Sequence, residues 1–259
     1  MPATTVREAE VARFDALAAR WWDPDGPMRP LHRMNPARIG WIAARIAAAF
    51  PAPAGLRLLD VGCGAGLAAE ALAALGFDVL GIDAAPGPIA AAVAHLAQAG
   101  RDRRPDLHPG QPSDGDAATA GGALKLAYRV AAPEDLLAEG LRFPIVTALE
   151  VIEHAADPGG FVATLAGLLA PGGLLVLSTL NRTAASFAAA KIGAEYLLRW
   201  LPIGTHDWRR FVTPAELGAL VRGAGLRVSD VTGLAPAGLG GGWRTGAGTG
   251  VNYLLAARR

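Results

Sequence analysis

From Gly55 onward the chain alternates short apolar runs with segments of helical spacing, and this rhythm limits the fold more than any single residue does. The runs "LRLLDV", "FDVLGID", "LAYRV", "PIVTAL", "GLLVLST", "LRVSDV" and "NYLLAA" predict seven strands. Between them, "GLAAEALAAL", "PGPIAAAVAHLAQ", "PEDLLAE", "GGFVATLAGLL" and, after a longer gap, "TPAELGALVRGA" predict helices. Parallel neighbours need a crossover, so repeated strand–helix units imply a mostly parallel sheet with helices on both faces. No helix separates the last two runs, which predicts an antiparallel edge strand. The fold class is therefore α/β and doubly wound.

The first fifty residues differ. "REAEVARFDALAARWW" carries Val11, Phe14, Leu17, Ala18 and Trp21 at helical spacing, and "ARIGWIAARIAAAF" resumes a helix after Pro36. The prolines of "DPDGPMRPLHRMNP" predict an irregular stretch between them. Residues 1–54 thus read as a helical cap and 55–259 as the main domain. Three segments break the alternation: a polar, proline- and glycine-containing surface loop from Arg101 to Gly122, an inserted helix at about 183–201, and the glycine-rich "GLAPAGLGGGWRTGAGTG".

Lys and Arg number 24 against 23 Asp and Glu, which leaves no excess charge for a phosphate backbone and argues against nucleic acid as a partner. The lone cysteine, Cys63, excludes an internal disulfide and fits a reducing, cytoplasmic compartment. The first residues carry acids and no apolar core, unlike a signal peptide, and no charge-free apolar run is long enough to span a membrane.

"LLDVGCGAGLAAEAL" reads as strand, glycine turn and helix start. Gly62, Gly64 and Gly66 let a ligand approach the backbone, and the helix N-terminus behind them favours a negative group. A dinucleotide fingerprint needs glycine where Leu67 stands, which weighs against a nicotinamide enzyme. Asp83, ending "VLGID", sits where an acid accepts hydrogen bonds from the ribose hydroxyls of an adenosine.

"ALEVIEHAADP" places Glu150 at the carboxyl end of the fourth strand, where such sheets bind ligands, and Glu153 and His154 follow at i+3 and i+4. If a helical turn follows, all three share one side. Three readings stay open: Glu150, Glu153 and His154 form an open divalent-metal site, His154 serves as a general base without one, or the residues are structural. Cys63 has no histidine near it in sequence to activate a thiol. His206 and Asp207 in "GTHDW" fit a pocket wall or a lid contact equally. Thr213, Pro214 and Glu216 read as a helix cap.

"LLDVGCGAG" and "LAPGGLLVLST" resemble motifs of the class I S-adenosylmethionine-dependent methyltransferases. With "RWWDPDGPMRPLHRMNPARIGWI", "ALEVIEHAADP", "STLNRT" and "GAEYLLRWLPIGTHDWRRFVTPAEL", the resemblance narrows to the ubiquinone-biosynthesis O-methyltransferases and covers nearly the whole chain. It implies a Rossmann-like sheet, and S-adenosyl-L-methionine held by Arg38, Gly62, Gly64, Asp83 and Leu149. It also implies a divalent ion, magnesium first, on Glu150, Glu153 and His154. The implied substrate is a lipophilic polyprenylated catechol at one or both O-methylation steps. "PEDL" at Pro133–Leu136 stands where the superfamily often places a residue near the adenine. The glycine-rich "GLGGGWRTGAGTG" departs from the family pattern. The inserted helix reads either as a lid or as a peripheral contact with the inner face of the membrane. Association with other enzymes of that pathway is a further partner expectation. A scaffold that binds the cofactor and turns over nothing is the rival from another class.

Overall fold

The computed structural model describes residues 5–102, 124–187, 208–238 and 242–259. The seven expected strands all form: β1 (Arg57–Val61), β2 (Asp78–Asp83), β3 (Leu126–Val130), β4 (Phe143–Leu149), β5 (Leu169–Leu180), β6 (Arg227–Pro236) and β8 (Asn252–Arg258). An eighth, β7 (Trp243–Ala247), arises within the glycine-rich segment that the sequence reads as a loop. One sheet holds them all in the order β3-β2-β1-β4-β5-β8-β6-β7. β1 pairs in parallel with both β2 and β4, so the winding reverses between β1 and β4. That switch point opens a crevice at the strands' carboxyl ends, where ligands bind in such sheets. The last strand is antiparallel as expected, but it inserts between β5 and β6, and the antiparallel edge belongs to β7.

The helices are α1 (Glu8–Leu17), α2 (Arg29–Ala49), α3 (Leu67–Ala74), α4 (Pro86–Asp102), α5 (Pro133–Ala138), α6 (Pro158–Leu168), a single turn α7 (Ala184–Ser186) and α8 (Pro214–Gly223). One sheet face packs Phe161, Val162 and Leu165 of α6 with Leu217 and Val221 of α8. The other packs Ile39, Ile42 and Ile46 of α2 with Ala69 and Leu72 of α3. α2 corrects the sequence reading, for it begins seven residues before Pro36 instead of after it. Pro30 falls in the first turn, where its missing N–H would have no intrahelical partner. Pro36 does interrupt the ladder, yet buried Met34, Arg38, Ile39 and Ile42 hold the helix against the domain on both sides of it.

The Thr213 cap forms as read: its hydroxyl accepts from Glu216 N–H at 3.2 Å, and Glu216 accepts from Thr213 N–H at 2.9 Å. Most of the Arg101–Gly122 loop, most of the expected inserted helix, and His206 and Asp207 lie outside the described residues. No helix among the described residues is long and apolar enough to cross a membrane.

Candidate active site

The glycine turn after β1 is built against the cap. Gly64 has φ +55°, and a Cβ there would lie 2.2 Å from Cζ2 of Trp21, so the indole rests directly on the backbone. Gly64 therefore lies beneath the cap, and its N–H donates to Asp83 Oδ2 at 2.9 Å. Asp83 Oδ1 accepts from Ala85 N–H at 2.9 Å. Each Asp83 oxygen keeps a lone pair beyond its backbone bond, which suits an acid meant to accept two hydroxyls. Burial raises its carboxyl, while the Ala85 and Gly64 bonds pull it down.

A cavity of about 460 Å³ opens at the switch point, within the usual size range of small-molecule sites. Arg38, Gly62, Asp83, Leu149, Glu150, Glu153 and His154 all line it, so the structure brings together every predicted site residue except Gly64. Phe14, Leu17, Met28, Leu31, Met34 and Trp243 give the rest of the wall an apolar character. Pro133 borders the cavity as well, but Glu134 beside it is occupied, accepting from Thr5 N–H at 3.3 Å and Thr5 Oγ1 at 2.7 Å.

One buried acid on the cavity wall escaped the sequence reading. Asp60, the acid of "LLDVG", is 2% exposed and lines the cavity. Thr147 Oγ1 donates to its Oδ1 at 2.7 Å, and its Oδ2 has no partner. Burial pushes its carboxyl up to about 6, against the pull of Thr147 and Arg38. Arg38 is 3% exposed; its Nη2 donates to Asn35 Oδ1 at 2.8 Å, and its Nε has no partner. Burial lowers the guanidinium's pKa, while Glu150 and Asp60 raise it. A buried cation and a buried acid on one wall, each with one polar atom left without a hydrogen bond, make a cradle for a zwitterion, the head of an amino acid. Position just before the glycine turn was the signal that could have found Asp60.

The three residues of "EVIEH" do not converge. Glu150 takes φ +59°, the one non-glycine residue in that region among those described. Its N–H donates to Ser178 O at 3.0 Å, and its Oε1 accepts from Ser178 Oγ at 2.6 Å. Asn252 Nδ2 donates to both Glu150 oxygens, at 3.1 and 3.0 Å. The next turn is a 3-10 turn, Ile152–His154, instead of an α-helix. Glu153 is buried and its Oε2 accepts from Thr179 Oγ1 at 2.8 Å; burial and the neighbouring Glu150 push its carboxyl up. His154 Nδ1 lies 3.1 Å from Glu10 Oε2. Among the described residues, no group of three or more His, Cys, Asp or Glu side chains is arranged to hold a metal ion. The expected shared side depended on α-helical spacing, which the left-handed Glu150 and the tighter turn remove. As placed, the residues do not fit the divalent ion.

Cys63 is buried beneath the turn, and burial raises its thiol well above the ordinary value, as expected of an inert side chain. Tyr128 hydroxyl is buried with no partner, and a Cβ on Gly66 would lie 2.0 Å from it, so it fills the space behind the turn.

A family model described as a methyltransferase domain matches residues 33–231. The ubiquinone biosynthesis O-methyltransferase of Methylobacterium nodulans is 46% identical over 96% of this chain and 94% of its own length. The proteins of the same name from Cereibacter sphaeroides and Azorhizobium caulinodans are 45% and 43% identical, over 99% and 98% of this chain and 98% and 94% of their own lengths. Among solved structures, a magnesium protoporphyrin IX methyltransferase from Synechocystis with bound SAH aligns with TM-score 0.59 at 17% identity, over 96% of this chain and 94% of that one. That likeness shows the class I methyltransferase fold, with a sheet of eight strands instead of the seven expected.

Proposed function

The chain belongs to the ubiquinone biosynthesis O-methyltransferase family, and from that premise we propose that it methylates a phenol oxygen of a polyprenylated catechol with S-adenosylmethionine. The observation that carries this reading is a single apolar cavity whose wall holds both the Arg38–Asp60 cradle and His154. Arg38 would receive the carboxylate of the cofactor's methionine part and Asp60 its ammonium, each meeting the unpartnered atom described above. Asp83 would hold the ribose. When bound, the cofactor supplies an electrophilic methyl group on a sulfonium: the O–CH₃ bond forms as the C–S bond breaks, and a neutral thioether leaves.

The chain's own contribution is to orient the acceptor, exclude water and take a proton. The apolar wall from Phe14 to Trp243 suits a prenylated ring, and removing water there strengthens each remaining polar contact. His154 takes the proton of the phenol as its oxygen becomes the nucleophile. No step is derived through a metal ion, because Glu150, Glu153 and His154 each serve a different partner.

The test is transfer of labelled methyl to a short-chain prenylated catechol by the wild type and by His154→Asn. We expect the variant to lose about a hundredfold in kcat, the lower end of what a general base contributes. A variant as active as the wild type would remove the base. Activity abolished by EDTA and restored by magnesium would replace the base with a metal ion.

Asp60 gives this reading a pH signature. With its carboxyl near 6 in the free protein, it is mostly protonated at pH 5 and mostly ionised at pH 7. An ammonium binds the ionised form, so affinity for S-adenosylmethionine rises with pH through that window, by about tenfold. Calorimetric titration at the two pH values checks this, and Asp60→Asn should flatten the dependence and bind weakly at both.

A further inference from the structure

We propose that Trp243, on the edge strand remote from the Arg38–Asp60 cradle, is a specificity-determining residue that seats the apolar chain of the acceptor against α2; this rests on the prenylated-catechol reading. Strand order sets the layout. Asp60 lies on β1, Asp83 ends β2, and Glu150 follows β4 on the other side of β1. Past β4 come β5, β8, β6 and β7. β6 runs in the direction of β5, because each is antiparallel to β8, so its last residues reach the same carboxyl edge. β2 and β6 are five strand spacings apart, roughly 24 Å. One cavity nevertheless touches Asp83 at one end and Pro236 at the other. It is elongated along the sheet edge, and the end beyond β4 is left to the acceptor.

That end is walled by uncharged side chains: Leu180 of β5, Pro236 of β6, Trp243 of β7, Val251 just before β8, and Leu31 and Met34 of α2. Register explains their placement. Leu180, Asn252 and Leu234 stand side by side across β5, β8 and β6, and Leu234 is buried in the cluster that includes Met34 of α2. Pro236, two residues on, shares the face of Leu234, and Trp243 pairs directly opposite Pro236. β7 packs on α2, and the indole rests against the same cluster. Ala237 N–H donates to Gly242 O at 2.8 Å and holds the start of β7 in place. Trp243 is partly buried and lines the cavity, so it still has surface to give to a ligand. It is the one aromatic residue of "GLGGGWRTGAGTG", whose glycines offer no apolar surface in its stead. A prenyl chain is branched hydrocarbon that gains by leaving water and has no polar atom to satisfy. The flat indole and the adaptable thioether of Met34 suit such a chain. These contacts form when the acceptor binds and do not change as the methyl group moves, so they act on KM more than on kcat.

The experiment compares methyl transfer to a catechol bearing two isoprene units and to the same catechol with a methyl group in their place, by wild type, Trp243→Ala and Trp243→Leu. Trp243→Ala should raise KM for the prenylated acceptor at least about tenfold, with kcat within about threefold. Its KM for the methyl-bearing acceptor and for S-adenosylmethionine should stay within about twofold of the wild type. Trp243→Leu, which keeps part of the apolar volume, should fall between. A prenylated catechol with a diazirine at the end of its chain should label the wild type at Trp243, Pro236 or Met34 on illumination, a result that needs no variant to fold. An unchanged KM for the prenylated acceptor in Trp243→Ala, or labelling of α1 instead, would send the chain along another wall and overturn the proposal. Equal losses with both acceptors, or a raised KM for S-adenosylmethionine, would reduce Trp243 to a structural contact with α2. Transfer by the wild type to the methyl-bearing acceptor alone would leave a catechol methyltransferase with no seat for a chain. Transfer to neither would remove the catechol reading, and the role of Trp243 with it.

Discussion

Arg38→Met weakens S-adenosylmethionine binding by about three orders of magnitude and lowers the unfolding temperature of the free protein as well. The binding side follows from burial. A carboxylate brought into a dry site without its cation costs ~3–5 kcal/mol, which is a factor of about 150 to several thousand. The folding side follows from the same burial seen in the free protein, where Arg38 is desolvated and its Nε has no partner. Asp60 and Glu150 both gain from that charge, so replacing it with a flexible apolar side chain of similar length leaves two buried carboxylates less compensated and costs stability as well. The position is specific to Arg38, because Asn35 accepts from its Nη2 and donates from Nδ2 to Leu67 O at 2.9 Å. The guanidinium is thereby fixed to the start of the helix behind the glycine turn. Arg38→Lys should recover only part of the affinity, since an ammonium keeps the charge and loses the planar fork. Calorimetric titration with the cofactor decides it. A dissociation constant within threefold of the wild type would show that the methionine carboxylate sits elsewhere.

The sheet was legible because its buried strands are apolar runs of the right length, and burial on both faces demands that pattern. β7 was not, since "WRTGA" has no such pattern and pairs through its backbone with β6. The start of α2 was hidden by Pro30 and Pro36, residues that local rules treat as breakers and that tertiary packing overrides. In the site, Arg38, Asp83 and Leu149 were readable from motifs, and the structure sets them around one cavity. The geometry of Glu150, Glu153 and His154 was not, because spacing predicts a shared side only inside an α-helix. Whether Glu150 would turn left-handed depends on Ser178 and Asn252, on strands that reach it only in the folded sheet. Glu10 shows the same limit: nothing local to "REAEVARF" says that a histidine on the far side of the chain will meet it. Buried polar groups at strand ends were the available clue. Ser178, Thr179 and Asn252 interrupt apolar strands, and each binds a carboxylate at the cavity.

Gly64→Ala destabilises the protein by about 2–6 kcal/mol and abolishes cofactor binding, for two separable reasons. A side chain at φ +55° is strained whatever surrounds it, at a cost of ~1–3 kcal/mol. The new methyl would also enter the Trp21 ring, whose Cζ2, Cη2 and Cε2 stand 2.2, 2.7 and 2.9 Å from the Cβ position, and overpacking of this kind costs a further ~1–3 kcal/mol. Trp21 has little room to yield. It is 6% exposed, its carbonyl is bonded to His32 Nε2 at 2.8 Å, and its neighbour Trp22 donates to Ala65 O at 3.0 Å and stacks on His95 at 3.4 Å. The glycine turn must therefore move, breaking the Gly64–Asp83 bond that sets the acid proposed to hold the ribose, or the cap must lift. A double-mutant cycle with Trp21→Ala separates the causes. Trp21→Ala alone should cost ~3–5 kcal/mol in lost packing. In the double variant the clash is gone and only the backbone strain and the cavity remain. The pair should then be less damaging than the sum of the singles by ~1–3 kcal/mol, read from chemical unfolding. Strict additivity would mean that the indole is no obstacle, and that backbone conformation alone reserves this position for glycine.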